Sequence, residues 1–178
     1  MTKEERISAY KKLFNDANFS IPIYPADLDK LGYFTAPAST KYHGAYEGGL
    51  FDHSYAVTKI LLEYTEKLGL RWEKPRSPYV VGMFHDFCKC GLYKPKEDEY
   101  GYDFNDDLVI PGHADRSVIM LQQFINLTFE EVACIRWHMG AYETDTSLWK
   151  YYGRAVSAYP NVVYTHTADM VASKVLRV

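Results

Sequence analysis

The stretch VGMFHDFCK, residues 81–89, sets His85 and Asp86 inside a run of Val, Met, Phe and Cys, with Lys89 one turn further on. Burying an imidazole and a carboxylate side by side without partners is costly, and a metal ion removes that cost directly. His53, His113, His138 and Asp169 extend the set, at intervals of roughly 25 to 32 residues. Such intervals allow one helix and its return loop per ligand, so all six side chains can meet inside one helical bundle. Neutral imidazoles with carboxylates suit Fe, Mn, Co, Ni or Zn, whereas an all-oxygen set favours Mg or Ca. Six donors exceed what one ion needs once a water position stays open. Two ions ~3.5–4 Å apart are the usual arrangement for phosphoryl transfer, stabilising both attacking and leaving oxygens. Asp86 is the natural bridge, since its two oxygens can go to different ions. Taken singly, each histidine has a plainer reading as a hydrogen-bonded core or surface residue, and Asp169 as a helix cap or an arginine partner.

The elements that must position these residues are helical. Residues 3–15 carry Ile7, Tyr10 and Phe14 on one stripe, and residues 52–68 carry Ala56, Val57, Ile60, Leu61 and Tyr64 at the same period, with Gly69 placed to stop the helix. Between them, residues 18–49 are broken by prolines and glycines, which predicts short helical turns or a functional lid. Ser77-Pro78 reads as an N-cap and first helical position, opening a helix that carries Tyr79, Val81, Phe84 and the His85-Asp86 pair up to Gly91. The acidic stretch KPKEDEYGYDFNDDLVIPG predicts a surface excursion or short hairpin. A helix follows His113. TFEE, from Thr128, is a capping box opening a helix that ends near Gly140. Ser147 starts a further helix, and Asn161 caps a last one beyond Pro160. The fold class is therefore all-α, one helical bundle over residues 1–178, with the ligand-bearing core at about 42–172.

The composition fits a packed domain: 47% of residues are apolar, and 16 Tyr, 9 Phe and 3 Trp can serve a core, a homodimer contact or a nucleobase pocket. A formal charge of -3 without a basic run argues against tight binding to long nucleic acid, while a short oligonucleotide or a small phosphorylated substrate stays open. Cys88, Cys90 and Cys134 are an odd number, unlike a secreted disulfide framework, and Cys88-Lys-Cys90 lacks the second pair of a structural zinc site. With no leader-like start and no run of ~20 apolar residues, the expectation is a cytoplasmic protein with no membrane span.

YHGAYEGGLFDH, HDFCK, PGHADRSV, IRWHMG and HTADMVAS succeed one another over residues 42–173. In that order they resemble the HD-domain metal-dependent phosphohydrolase superfamily, and most nearly the HD portion of YhaM-like 3′-to-5′ exoribonucleases and small HD hydrolases. The resemblance implies that His53, His85, Asp86 and Asp169 hold a first ion. His113 and His138, with Asp86 bridging, match the extra pair that holds a second ion in the two-metal branch. Phe87 and Cys88 replace the small or aliphatic pair usual after Asp86, an apolar repacking that leaves the ligands in place.

The activity this resemblance implies is that of a phosphohydrolase, a phosphodiesterase or nucleotidase, with two divalent or mixed-valent ions, Fe or Mn first and Zn, Co or Ni also suitable. On that resemblance, bound ions would supply a hydroxide to attack the phosphorus of a nucleotide or small phosphoester. Lys89 and His43 are the candidate catalytic and substrate-binding groups beside Asp86, and Arg116, Arg136 and Tyr46 are further candidate substrate contacts. His166 has no ligand role in this pattern. Two competing expectations are a two-iron oxygenase resembling inositol oxygenase or the phosphonate-cleaving enzyme, and a nucleotide-binding protein without turnover.

Overall fold

The computed structural model describes residues 1–97, 100–110 and 112–178, with Ala141 described by its backbone alone. Its helices in chain order are α1 (Lys3–Asp16), α2 (Pro25–Lys30), α3 (Gly49–Leu68), α4 (Ser77–Phe84), α5 (Ala114–Leu121), α6 (Phe129–Arg136), α7 (Trp149–Ala158) and α8 (Asn161–Met170). The chain then continues as a π-helical segment, Val171–Leu176. Two short strands, β1 (Tyr93–Pro95) and β2 (Tyr102–Phe104), pair antiparallel, with Tyr93 opposite Phe104. The acidic stretch is thus the hairpin its composition predicts, although Asp98, Glu99 and Pro111 lie outside the described residues. The architecture is an all-α bundle with that hairpin as its sheet. Among the described residues no helix is long and apolar enough to cross a membrane.

Helix α3 is the spine, packed against α4, α8 and the π-helical segment, while α6 bridges α4, α5 and α8. Gly82 sets how closely α4 approaches it. A Cβ there would fall 2.6 Å from the Cα of Thr58 on α3, so any larger residue forces the two helices apart. Apolar side chains at helical spacing fill the interior. Tyr10, Phe14, Tyr33, Phe34, Phe51, Phe84 and Phe87 form a buried aromatic cluster with largely edge-to-face contacts, including Tyr10–Phe14 at 5.2 Å and Phe84–Phe87 at 5.6 Å. Much of the aromatic content therefore serves the core.

Several boundaries differ from those expected. Helix α4 begins at Ser77 with Arg76 as its cap residue, and it ends at Phe84, so His85 caps its C-terminus. The chain leaves the α-helix at Asp86 and makes a 3₁₀ turn over Phe87–Lys89. The apolar run through Phe87 conceals that break, because the aromatic core needs Phe84 and Phe87 alike. Helix α6 stops at Arg136, which leaves His138 beyond it. Asn161 does not cap α8: its side-chain amide donates to the carbonyl of Arg71 and to Glu130, each at 2.8 Å. The capping box at Thr128 forms as expected, with Thr128 Oγ1 accepting from the Glu131 amide at 3.1 Å and Glu131 accepting from the Thr128 amide at 2.8 Å. Gly69 ends α3 in the left-handed conformation.

The irregular segment before α3 contains α2 and a set of turns held down from α1. Arg6, buried, donates to both carboxylate oxygens of Asp52 at 3.0 and 3.1 Å and to the carbonyl of Glu47 at 3.0 Å. This pair fixes the loop that carries His43 against the first turn of α3, immediately before His53.

Candidate metal centre

The six predicted ligands come from five stretches of the chain and meet at one place. His53 lies on α3, His85 at the end of α4, Asp86 at the start of the 3₁₀ turn, His113 at the start of α5, His138 just past α6 and Asp169 on α8. His53, His85, Asp86 and His138 are buried, and Asp169 is nearly so. His113 is the most open, its side chain 33% exposed.

Distances divide the set into two halves joined by Asp86. In one, His53 Nε2 stands 3.2 Å from Asp169 Oδ1, 3.3 Å from His85 Nε2 and 3.7 Å from Asp86 Oδ2. In the other, His113 Nε2 is 2.8 Å and His138 Nε2 3.4 Å from Asp86 Oδ1, with 3.3 Å between the two imidazole nitrogens. Two groups of at least three ligand-type residues stand out on these distances: His53, His85 and Asp169, and Asp86, Cys88 and His113.

The outward faces of the rings decide which nitrogens look inward with lone pairs. Nδ1 of His85 sits 2.9 Å from the carbonyl of Gly82, Nδ1 of His138 2.7 Å from that of Ile135, and Nδ1 of His53 2.9 Å from that of Val178. A carbonyl oxygen only accepts, so each Nδ1 carries the proton and each Nε2 presents a lone pair to the centre. Two such lone pairs 3.3 Å apart, as on His53 and His85, repel unless a positive charge lies between them. Asp86 Oδ1 is enclosed as well, with no donor meeting hydrogen-bond geometry at it. This donor set, with its orphaned carboxylate oxygen, fits a pair of metal ions.

Charge within the protein moderates this arrangement. For Asp86, burial pushes the pKa up, but Lys89, His85 and His113 together hold it well below the usual carboxylate range. Lys89 Nζ lies 2.6 Å from Asp86 Oδ2 and, against the pull of burial, that contact raises its pKa. His113 is lowered by burial, yet Asp86 and then Cys88 lift it to about 10. His85 falls to about 3, chiefly through burial.

A cavity of about 330 Å³ opens onto this centre, lined by His43, Asp86, Lys89, His113, His138 and Asp169 together with Tyr93, Tyr142 and Lys174. His43 contacts the His53 ring at 4.8 Å between centroids, and burial, His53 and Lys89 lower its pKa to about 4, so it faces the cavity as a neutral ring. Other predicted contacts lie elsewhere. Arg116 donates to the carbonyls of Cys88 and Cys90, bracing the 3₁₀ turn from outside the cavity lining. Arg136 pairs with Asp115 and with Glu143, and stacks on Trp137 at 4.3 Å. Neither arginine lines this cavity. Tyr46 donates to Asp52 at 3.2 Å, outside this cavity.

Two residues do more than their sequence positions suggest. Cys88 does not team with Cys90: its Sγ lies 3.0 Å from His113 Nδ1, where the other three imidazoles have a main-chain carbonyl. His166 lines the cavity, and its Nδ1 donates to the His138 carbonyl at 2.7 Å. Gly140 makes room for that ring, since a Cβ there would lie 2.7 Å from it. In the sequence His166 stands three residues before Asp169 without a ligand role, and nothing local indicates its neighbour Gly140.

With these donors gathered at one point beside the cavity, the chain is placed by family. It belongs to the HD domain family, whose pattern matches residues 50–169, a span that holds all six ligand candidates. Among curated proteins it is similar to the dihydroneopterin 2′,3′-cyclic phosphate phosphodiesterase of Methanocaldococcus jannaschii, 41% identical over 66 residues, which cover 35% of this chain. The chain spans 26% of that relative's length. No solved structure matches the chain. The family and the donor set together define a metal-dependent, phosphohydrolase-type HD domain.

Proposed function

We propose that this chain hydrolyses a phosphodiester bond in a nucleotide or a similarly small phosphoester, at two ions held by its own imidazoles and carboxylates. The reading rests on one observation above all: four imidazoles and two aspartates gather at one point beside a cavity, while three of the rings are pinned outward by carbonyls. His53, His85, Asp86 and Asp169 are assigned to the first ion, and Asp86, His113 and His138 to the second. Iron or manganese suits this mixed nitrogen and oxygen set, as would zinc, cobalt or nickel. Bound ions would lower the pKa of a water molecule to provide the nucleophile and would neutralise charge on the phosphoryl oxygens.

The chain's own groups then position the substrate. Lys89 presents a buried ammonium at the cavity wall, where a phosphoryl oxygen can share it with Asp86. His43, neutral, contributes a hydrogen bond rather than a charge. The relative from Methanocaldococcus jannaschii, whose name describes cleavage of a cyclic phosphodiester, supports the diester over a monoester. The whole chain is read as one HD domain, and its three buried, unbridged cysteines accord with a cytoplasmic setting.

The test is a hydrolysis screen of the protein reconstituted with Mn, Fe, Co, Ni or Zn, against 2′,3′-cyclic nucleotides, dinucleotides, nucleoside monophosphates and bis(p-nitrophenyl) phosphate. Turnover should appear with diesters, disappear on chelation and return with added ion. Inactivity with every ion and every diester sinks the reading.

A further inference from the structure

Beside the metal cavity lies an outer chamber of about 550 Å³, lined by Tyr42, His43, Tyr46, Ser173, Lys174 and Arg177 among others. His43, Ser173 and Lys174 line both spaces, so the two are adjacent. The chamber wall carries two cations, Lys174 and Arg177. Among the described residues neither has an ion-pair partner, whereas Arg6, Arg76, Lys89 and Arg136 are all paired.

Exposed unpaired cations are common on protein surfaces and alone carry no meaning. Here the backbone adds a separate observation. Lys174 sits in a π-helical segment, a rare conformation enriched at functional sites. Arg177 follows it with φ +59°, one of two non-glycine residues with positive φ among those described. Such a conformation costs of order 1 kcal/mol or more and persists only where its surroundings over-determine it. Together they bring both cations to the wall of a chamber that also holds Tyr42 and Tyr46, whose rings offer a face to a base.

We propose that the outer chamber is a second-anion subsite, so that the substrate is a phosphoester carrying a further phosphate, held by Lys174 and Arg177 while the scissile group lies at the imidazole cavity. This deepens the phosphodiesterase reading and rests on it for the identity of the scissile group. A 5′-phosphorylated dinucleotide is the simplest molecule with that chemistry: one diester to cleave, a base to stack and a terminal dianion.

The experiment measures binding, so that it stands apart from turnover. The full chain, with and without added ions, is titrated calorimetrically with diadenylate bearing a phosphorothioate linkage, in versions with and without a 5′-phosphate. The phosphorylated form should bind about tenfold more tightly, and the double substitution Lys174→Gln and Arg177→Gln should erase that preference. Arg177→Lys, which keeps the charge, should retain most of it. Equal binding of the two probes by the unmodified chain overturns the subsite, as does a preference that survives the double substitution. A clear preference in a chain that cleaves no diester would leave the subsite standing and refute the hydrolytic reading instead.

Discussion

His53, His85 and Asp169 gather where α3, α4 and α8 pack together, each on or at the end of a helix buried in the bundle. His113 sits differently, at the start of a short helix that follows the hairpin region, partly exposed and backed by the Cys88 thiol. The first half of the centre takes its geometry from helix packing and main-chain carbonyls, which no single side-chain substitution removes. The second half takes part of its geometry from one thiol. On the proposed two-ion reading, the contrast predicts that the outer half gives up its ion more readily than the inner half.

The largest effect should come from the residue common to both halves. Asp86→Ala should remove both ions and lower diester turnover by at least ~1000-fold, the equivalent of several kcal/mol of lost charge stabilisation; metal analysis showing one ion retained would refute Asp86 as the bridge. His113→Ala should leave one ion per chain while turnover falls about 100-fold. In the unmodified chain a chelator should likewise withdraw one ion before the other, in two resolved phases. Simultaneous loss would erase the asymmetry. Cys88→Ala should be milder, weakening the more easily lost ion by about tenfold with little change in the other, as expected for a group that orients a ligand without being one. If both ions weaken alike, Cys88 is only packing.

The sequence made this centre legible because helix ends carry their own chemistry. TFEE and Gly69 mark termini through local hydrogen bonding, and His-Asp within an apolar run is conspicuous wherever the helix stops. Partners set by tertiary packing were hidden. Arg116 and Arg136 look like phosphate contacts in sequence, but their acceptors lie on Cys88, Cys90, Asp115 and Glu143, close only after folding. Cys88 read as half of a cysteine pair, because nothing in the order of residues says that the 3₁₀ turn aims its sulfur at His113. The buried pair of Arg6 with Asp52 was likewise invisible, its members 46 residues apart.

The scattering of ligands over five elements also couples occupancy to cohesion. On the proposed assignment the two ions together would grip α3, the turn after α4, the start of α5, the chain just past α6, and α8, a crosslink among segments otherwise joined mainly by apolar contact. A chain that has taken up its ions should therefore melt at a higher temperature than one that has not, by an amount that grows with free ion concentration. Heat resistance then becomes a gauge of loading.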